Sequence, residues 1–294
     1  MLTLKSGASS LVVAPEHGAG ITGWMVGRTP MLRRALPQAS VGGDSHAMGC
    51  FPLVPYGNRI GQGRFQWNGT EYVLQRNFGD HPHTIHGIGW QQAWTVAEAS
   101  QCFVSLILRH QPNGSWPFAF DAEVGYRLSD AALTVTIHLA NRHDKAAPAG
   151  IGVHPYFPKL GDPALRFDAG GAWENGPDSL PRRHGMPQVD WLHTDPRLVA
   201  RSRLDNCFTD WEGTADILAG PAKLRIMASD VFRQLQVFTP SWADFFCVEP
   251  VSHVPDAVNR TDLPAAQAMH VLQPNECISG TIHFNHSSGS AARP

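Results

Sequence analysis

The chain is short of charge. Only 16% of its 294 residues are Asp, Glu, Lys or Arg, against roughly 25% in ordinary soluble domains. The 23 basic and 25 acidic residues leave a formal net charge of −2 and form no basic run. An electrostatic footprint for nucleic acid or an anionic membrane surface is therefore missing. No apolar stretch approaches the roughly eighteen residues needed to span a bilayer. The N-terminal MLTLKSGASSLVV lacks a basic segment followed by a sustained apolar core, so it does not read as a signal peptide. The five cysteines (Cys50, Cys102, Cys207, Cys247, Cys277) are odd in number and never spaced C-x-x-C. They predict a reduced cytoplasmic protein with buried thiols. On that expectation the N-x-S/T matches at Asn68, Asn113 and Asn259 are coincidental. Helical patterning is scarce too: no segment sustains a 3.6 period with caps at both ends, and residues 256–269 hold a turn of helix at most.

What the chain does have is 28 glycines, 23 prolines and nine tryptophans. That mixture suits short strands joined by ordered turns. Asn68-Gly69 is a hairpin signal, and residues 63–67 and 72–75 alternate on either side of it. Residues 94–98 and 102–110 form a second expected pair. The clearest β segment is 122–128, a turn at Ser129-Asp130, and 133–140, where Leu133, Val135, Ile137 and Leu139 alternate strictly. Residues 224–238 alternate again, 245–248 make a short apolar strand, and 276–284 close the chain. Residues 30–50 read as a long loop, and 161–203 as a Pro/Gly/Arg-rich region with few periodic stretches. Strands spaced by turns over the whole length predict an all-β protein: one large antiparallel β-sandwich over 1–285 without linker or repeat, and a disordered tail over 286–294.

Residues 51–94 concentrate polar and aromatic side chains. Asn58 and Arg59 lie in a Pro/Gly-rich loop, where Arg59 is either a solvated surface charge or a fork of donors for sugar hydroxyls or a carboxylate. His81, His83 and His86 follow in six residues. As a metal site they would resemble a cupin-type β framework, but no carboxylate follows at a suitable spacing; otherwise they are loop histidines. In GIGVHPYFPKL, Pro155 restricts His154 to extended geometry, so its ring projects at a strand end. It is either a satisfied core histidine or a functional one. In FFCVEPVSH, Glu249 closes an apolar strand, where partial desolvation would strengthen it as a base. Asp205 is the remaining acid beside apolar and aromatic residues.

In order along the chain, these residues resemble the aldose 1-epimerase (mutarotase) family. The resemblance starts at APEHGAGITGW and continues through PYGNRIGQGRFQWNGTEYVL, HGIGWQQAWTV, GIGVHPYF, LDNCFTDW and CVEP. It implies a galactose mutarotase-like supersandwich with a small-molecule sugar in an open cleft, and neither metal nor organic cofactor. By position Glu249 matches the family's general base and His154 its general acid. Arg59 with Asn58, His86 and Asp205 match the sugar-binding residues. Trp90, Tyr156 and Phe208 are candidate stacking surfaces. HPYF replaces the H-T-Y-F form of galactose mutarotases, which leaves the sugar open, and Asn275 stands where the closing L-x-P-G-E motif has glycine. Three other readings remain: a carbohydrate-binding sandwich without catalysis, a glycosidase using Asp205 and Glu249, and a metal site at His81, His83 and His86.

Overall fold

The structure is a computed structural model and describes residues 1–36 and 45–288. Among these there is no α-helix, only short 3-10 turns such as Gly89–Gln91 and Ala257–Asn259. The protein is an antiparallel β-sandwich. Leu2–Ser6, Ser9–Ala14, Gly20–Val26 and Thr29–Pro30 make a four-stranded sheet, and most other strands join one sheet of fifteen. Alternation explains the layering, because successive strand residues face opposite sides. On Ala132–Asn141 the side chains of Leu133, Val135, Ile137 and Leu139 are buried, opposite those of Phe120–Leu128. Each fully buried side chain of this size contributes about 1.5–3 kcal/mol relative to exposure.

The expected hairpin is present as Arg64–Trp67 paired with Thr70–Val73. Both turn residues have positive φ, 48° at Asn68 and 79° at Gly69, the two-residue geometry that matches strand twist. Thr95–Ala99 pairs with Phe103–His110 as expected. Four readings of the sequence are corrected. The 161–203 region contains a twelve-residue strand, Ala164–Asn175. Its glycines and charges hid the pattern. The 224–238 string is two strands, Ala222–Ala228 and Gln234–Phe238, which lie on either side of Asp205–Ala219. Glu249 does not close its strand: Phe245–Val251 runs on through Pro250. The closing strand also continues to Ser288, so only 289–294 of the expected tail lie outside the described residues. The same holds for 37–44 of the expected long loop.

Sheet register positions the site. Gln236 is paired with Glu249 and with Cys207 on the other side. Gly152 pairs with Val251 and Tyr156 with Cys247, which sets His154 opposite Glu249. One row of the sheet therefore carries Gln236, Glu249 and His154 on one face. The next row of that face, two residues along, carries Asp205, Phe238, Cys247 and Tyr156.

Candidate active site

These rows form the floor of a cleft of about 430 Å³, within the range of small-molecule sites. All six residues singled out from the sequence line it: Asn58, Arg59, His86, His154, Asp205 and Glu249. A second concavity of about 440 Å³ around Val12, Thr22 and Met25 is lined by no carboxylate among the described residues.

His86 is held from two sides. Its N–H donates to the Asn58 carbonyl at 2.7 Å, and the Asn58 N–H donates to His86 Nδ1 at 3.2 Å. Both residues adopt left-handed backbone, φ 54° at Asn58 and 59° at His86, which is uncommon outside glycine and clusters at functional sites. The clamp needs the glycine that follows. A Cβ on Gly87 would lie 2.2 Å from the Val54 carbonyl oxygen. Because Nδ1 accepts, the neutral ring carries its proton on Nε2. Burial, then electrostatic repulsion from His154, His46, Arg59 and His81, hold the His86 pKa well below its ordinary value. The ring is thus an uncharged donor.

Arg59 Nη1 donates to Asn58 Oδ1 at 3.1 Å, and Nη2 meets Asp205 Oδ2 at 3.4 Å. Asp205 Oδ1 accepts from Gln236 Nε2 at 2.9 Å. Behind them His154 Nε2 lies 3.4 Å from Glu249 Oε1, with both side chains under a tenth exposed. That separation is longer than a charge-assisted hydrogen bond, as catalytic contacts often are without substrate. Burial first, then the Asp205 carboxylate, push the Glu249 pKa well up, and Arg59 only partly offsets them. Burial, then His46 and Arg33, push His154 well down. Both shifts favour the uncharged forms of the two groups. Among the described residues, three buried polar atoms of the cleft have no hydrogen-bond partner: Arg59 Nε, His154 Nδ1 and Gln236 Oε1. Such unpaired groups suit a polyhydroxylated ligand.

The histidine triplet does not converge on a metal. His83 Nδ1 accepts from the Gln62 N–H at 3.0 Å, and its Nε2 donates to the Asp178 carbonyl at 2.8 Å. It is a buried structural residue. Among the described residues, donor atoms of His154, Cys247 and Glu249 do lie within 4.8 Å of one another. Burial raises the Cys247 thiol well above its usual range, and the side chain packs among Phe51, Leu53 and Trp90. A thiol held protonated is a poor metal ligand.

Of the proposed stacking surfaces, Tyr156 lines the cleft. Trp90 is buried, with its indole N–H donating to the Gly87 carbonyl at 3.1 Å. Phe208 is fully buried, edge-on to Phe167, and does not line the cleft. The sequence reading missed Gln236 and His46. Gln236 alternates with Leu235 and Val237, which looks like the solvent side of a strand, yet it is 3% exposed. His46 sits in a weakly patterned stretch and joins the cleft through ring contacts, with its centroid 5.6 Å from His86 and 6.3 Å from His154.

The fold and the site together are an antiparallel sandwich with a buried carboxyl–imidazole pair at the floor of a cleft lined by polar and aromatic side chains. The aldose 1-epimerase family model matches residues 1–285, and the chain belongs to that family. It is 31% identical over 286 residues to the uncharacterized protein YphB of Escherichia coli K12, covering 93% of this chain and 94% of that protein. A crystal structure of a proposed aldose 1-epimerase from Escherichia coli K12 superposes with a TM-score of 0.88 at 28% identity, over 97% of this chain and 98% of the other. A galactose mutarotase-like protein from Clostridium acetobutylicum superposes with a TM-score of 0.86 at 19% identity, over 97% and 94% of the two chains.

Proposed function

We propose that this protein is an aldose mutarotase, interconverting the α and β anomers of a sugar by acid–base ring opening and closure. The observation that carries this reading is the His154–Glu249 contact at 3.4 Å, buried at the cleft floor. Mutarotation asks for a proton acceptor at O1 and a proton donor at O5. The ring opens to the aldehyde, the C1–C2 bond turns, and closure on the other face reverses both transfers. A sugar in the cleft brings hydroxyl donors to a floor that otherwise favours uncharged groups. Its hydrogen bonds stabilise the carboxylate–imidazolium form of the pair. In that form Glu249 takes the O1 proton and His154 gives one to O5. The pair ends the cycle with the proton count it began with. Arg59, Asn58, His86, Asp205 and Gln236 hold the hydroxyls and fix C1 against the pair.

The distinct partners of the two carboxylates favour this over glycoside hydrolysis. Asp205 is engaged by Arg59 and Gln236, whereas Glu249 faces an imidazole. Polarimetry of freshly dissolved α-anomers over an aldose panel tests the reading. Accelerated equilibration that persists in EDTA is expected. No acceleration on any aldose would leave a carbohydrate-binding sandwich in its place.

A further inference from the structure

The Arg59 guanidinium is lightly tethered for a group at the centre of a site. Among the described residues it makes a 3.1 Å hydrogen bond to the neighbouring Asn58 and a 3.4 Å contact with Asp205. A long, flexible side chain so held takes its position from the backbone beneath it. That backbone is clamped from a second quarter. Beyond Phe245–Val251, the strand that carries Glu249, residues 253–259 fold back over the loop that carries Arg59. Their hydrogen bonds fall on alternate residues of that loop. The Gly57 N–H donates to His253 Nε2 at 3.1 Å. The Asp256 N–H donates to the Arg59 carbonyl at 2.8 Å, and the Gly61 N–H donates to Asp256 Oδ1 at 2.8 Å.

Both clamping side chains are fixed in turn, and both are buried. Burial, only partly offset by the hydrogen bond to the Val254 carbonyl, lowers the His253 pKa to about 4, so the ring is neutral near pH 7. Its Nδ1 donates to that carbonyl at 2.7 Å, which leaves Nε2 as the acceptor for Gly57. The ring fits because residue 150 is glycine: a Cβ there would lie 2.1 Å from His253 Cδ2. Asp256 takes left-handed backbone, φ 57°, a conformation more open to Asp and Asn than to other side chains. It aims the Asp256 N–H and carboxylate at one loop. Asn259 Nδ2 donates to the same Oδ1 at 2.7 Å and to the Arg64 carbonyl at 2.9 Å, orienting the carboxylate from its own side.

We infer that Asp256 and His253 are positioning residues for the reaction: they fix the Arg59 backbone against the strand that bears Glu249, so that guanidinium and carboxyl meet the sugar at one set separation. The chain makes the link direct, because Asp256 follows Glu249 by seven residues. A hydroxyl anchor and a proton acceptor held by one continuous segment keep their spacing when loops around the cleft move. That spacing matters, since a misplacement of about 1 Å can cost about 100-fold in rate. The effect on rate rests on the mutarotase reading; the hold on Arg59 does not.

A double-mutant cycle with Arg59 tests the inference. Asp256→Gly removes the carboxylate and accepts the left-handed backbone. It should lower kcat/KM for anomer equilibration about 10–100-fold. In an Arg59→Ala background the same substitution should change kcat/KM by less than about twofold, because the group it positions is gone. Asp256→Asn, which keeps an oxygen for Gly61 and suits the same backbone, should stay within about threefold of wild type. His253→Leu should show the same non-additivity with Arg59→Ala. Equal losses in both backgrounds overturn the inference, and so do wild-type rates in Asp256→Gly. A second readout needs no catalysis. The Arg59 Nε–H is buried without a hydrogen-bond partner, so its NMR signal, assigned by its loss in Arg59→Lys, reports where the side chain sits. It should shift or broaden in Asp256→Gly and hold its place in Asp256→Asn. If no aldose equilibrates faster with the wild-type protein, the mutarotase reading fails; the hold on Arg59 then stands if this signal moves in Asp256→Gly and falls if it does not.

Discussion

Asp216 and Glu249 are both buried carboxyl groups in one sheet, 3% and 2% exposed, and their surroundings make opposite things of them. Asp216 is paired across the ladder with Arg166 on one neighbouring strand and Arg225 on the other. Arg166 Nη2 lies 2.7 Å from Oδ2, Arg225 Nε 2.8 Å from Oδ1 and Lys223 Nζ 3.1 Å from Oδ2. Burial alone would raise its pKa, but hydrogen bonds from Arg225, Lys223 and Arg166 outweigh it and hold the group well below the carboxylate range. Around Glu249 are an imidazole, the Asp205 carboxylate and Arg59; burial and Asp205 outweigh Arg59, and its pKa is raised. Burial by itself does not make a base. The count of cations around the carboxyl decides between a fixed charge that ties strands together and a group that can exchange a proton.

Exchanging each acid for its amide should separate the two roles. Glu249→Gln keeps shape and removes the proton acceptor, so kcat/KM should fall about 10²–10⁴-fold, with the thermal midpoint held or slightly raised near neutral pH. Polarimetry and a melting curve check both halves, and wild-type rates would sink the assignment. Asp216→Asn should do the reverse, losing about 1.5–3 kcal/mol in urea unfolding with anomer exchange within twofold of wild type. A larger loss of activity than of stability there would mean that Asp216 reaches the site.

Acid and base should act on the two groups in opposite directions. Asp216 has a folded pKa below its unfolded value, so its stabilisation is present above the ordinary carboxylate range and is lost as pH falls through the folded value. Glu249 has a folded pKa above its unfolded value, so its contribution is present at low pH and is lost as pH rises through the folded value. Urea midpoints across pH should therefore show an acid-side slope that Asp216→Asn flattens and an alkaline-side slope that Glu249→Gln flattens. The pH–rate profile should be bell-shaped. Its acid limb, where the pair gains a second proton, lies below the ordinary imidazole value because His154 is depressed. Its alkaline limb, where the pair loses its one proton, lies above the ordinary carboxyl value because Glu249 is raised. Both limbs belong to the pair as a unit.

Much of this was legible in the residues. The hairpin at Asn68-Gly69 and the alternation over 133–140 were readable because turn chemistry and a period of two are local properties. Of the six cleft residues, Asn58, His86, His154 and Glu249 each lie beside a glycine or proline, and Arg59 and Asp205 stood out through the motifs that carry the family resemblance. Ala164–Asn175 was not readable, since its glycines and charged positions break the alternation while tertiary pairing with Asp205–Ala219 holds the strand. Gln236 was hidden for a related reason: a polar residue on a strand face reads as solvated unless the opposing layer is known.

By itself, then, the sequence determined the all-β class, the family and six residues that line the cleft, because side-chain chemistry and short-range spacing travel with the chain. Tertiary structure decided the rest. Ladder register set His154 opposite Glu249, although 95 residues of chain separate them. It put Gln236 in the same row and gave Asp216, rather than Glu249, three cations. A pKa depends on what lies within a few ångströms, and in an antiparallel sheet those neighbours come from distant parts of the chain.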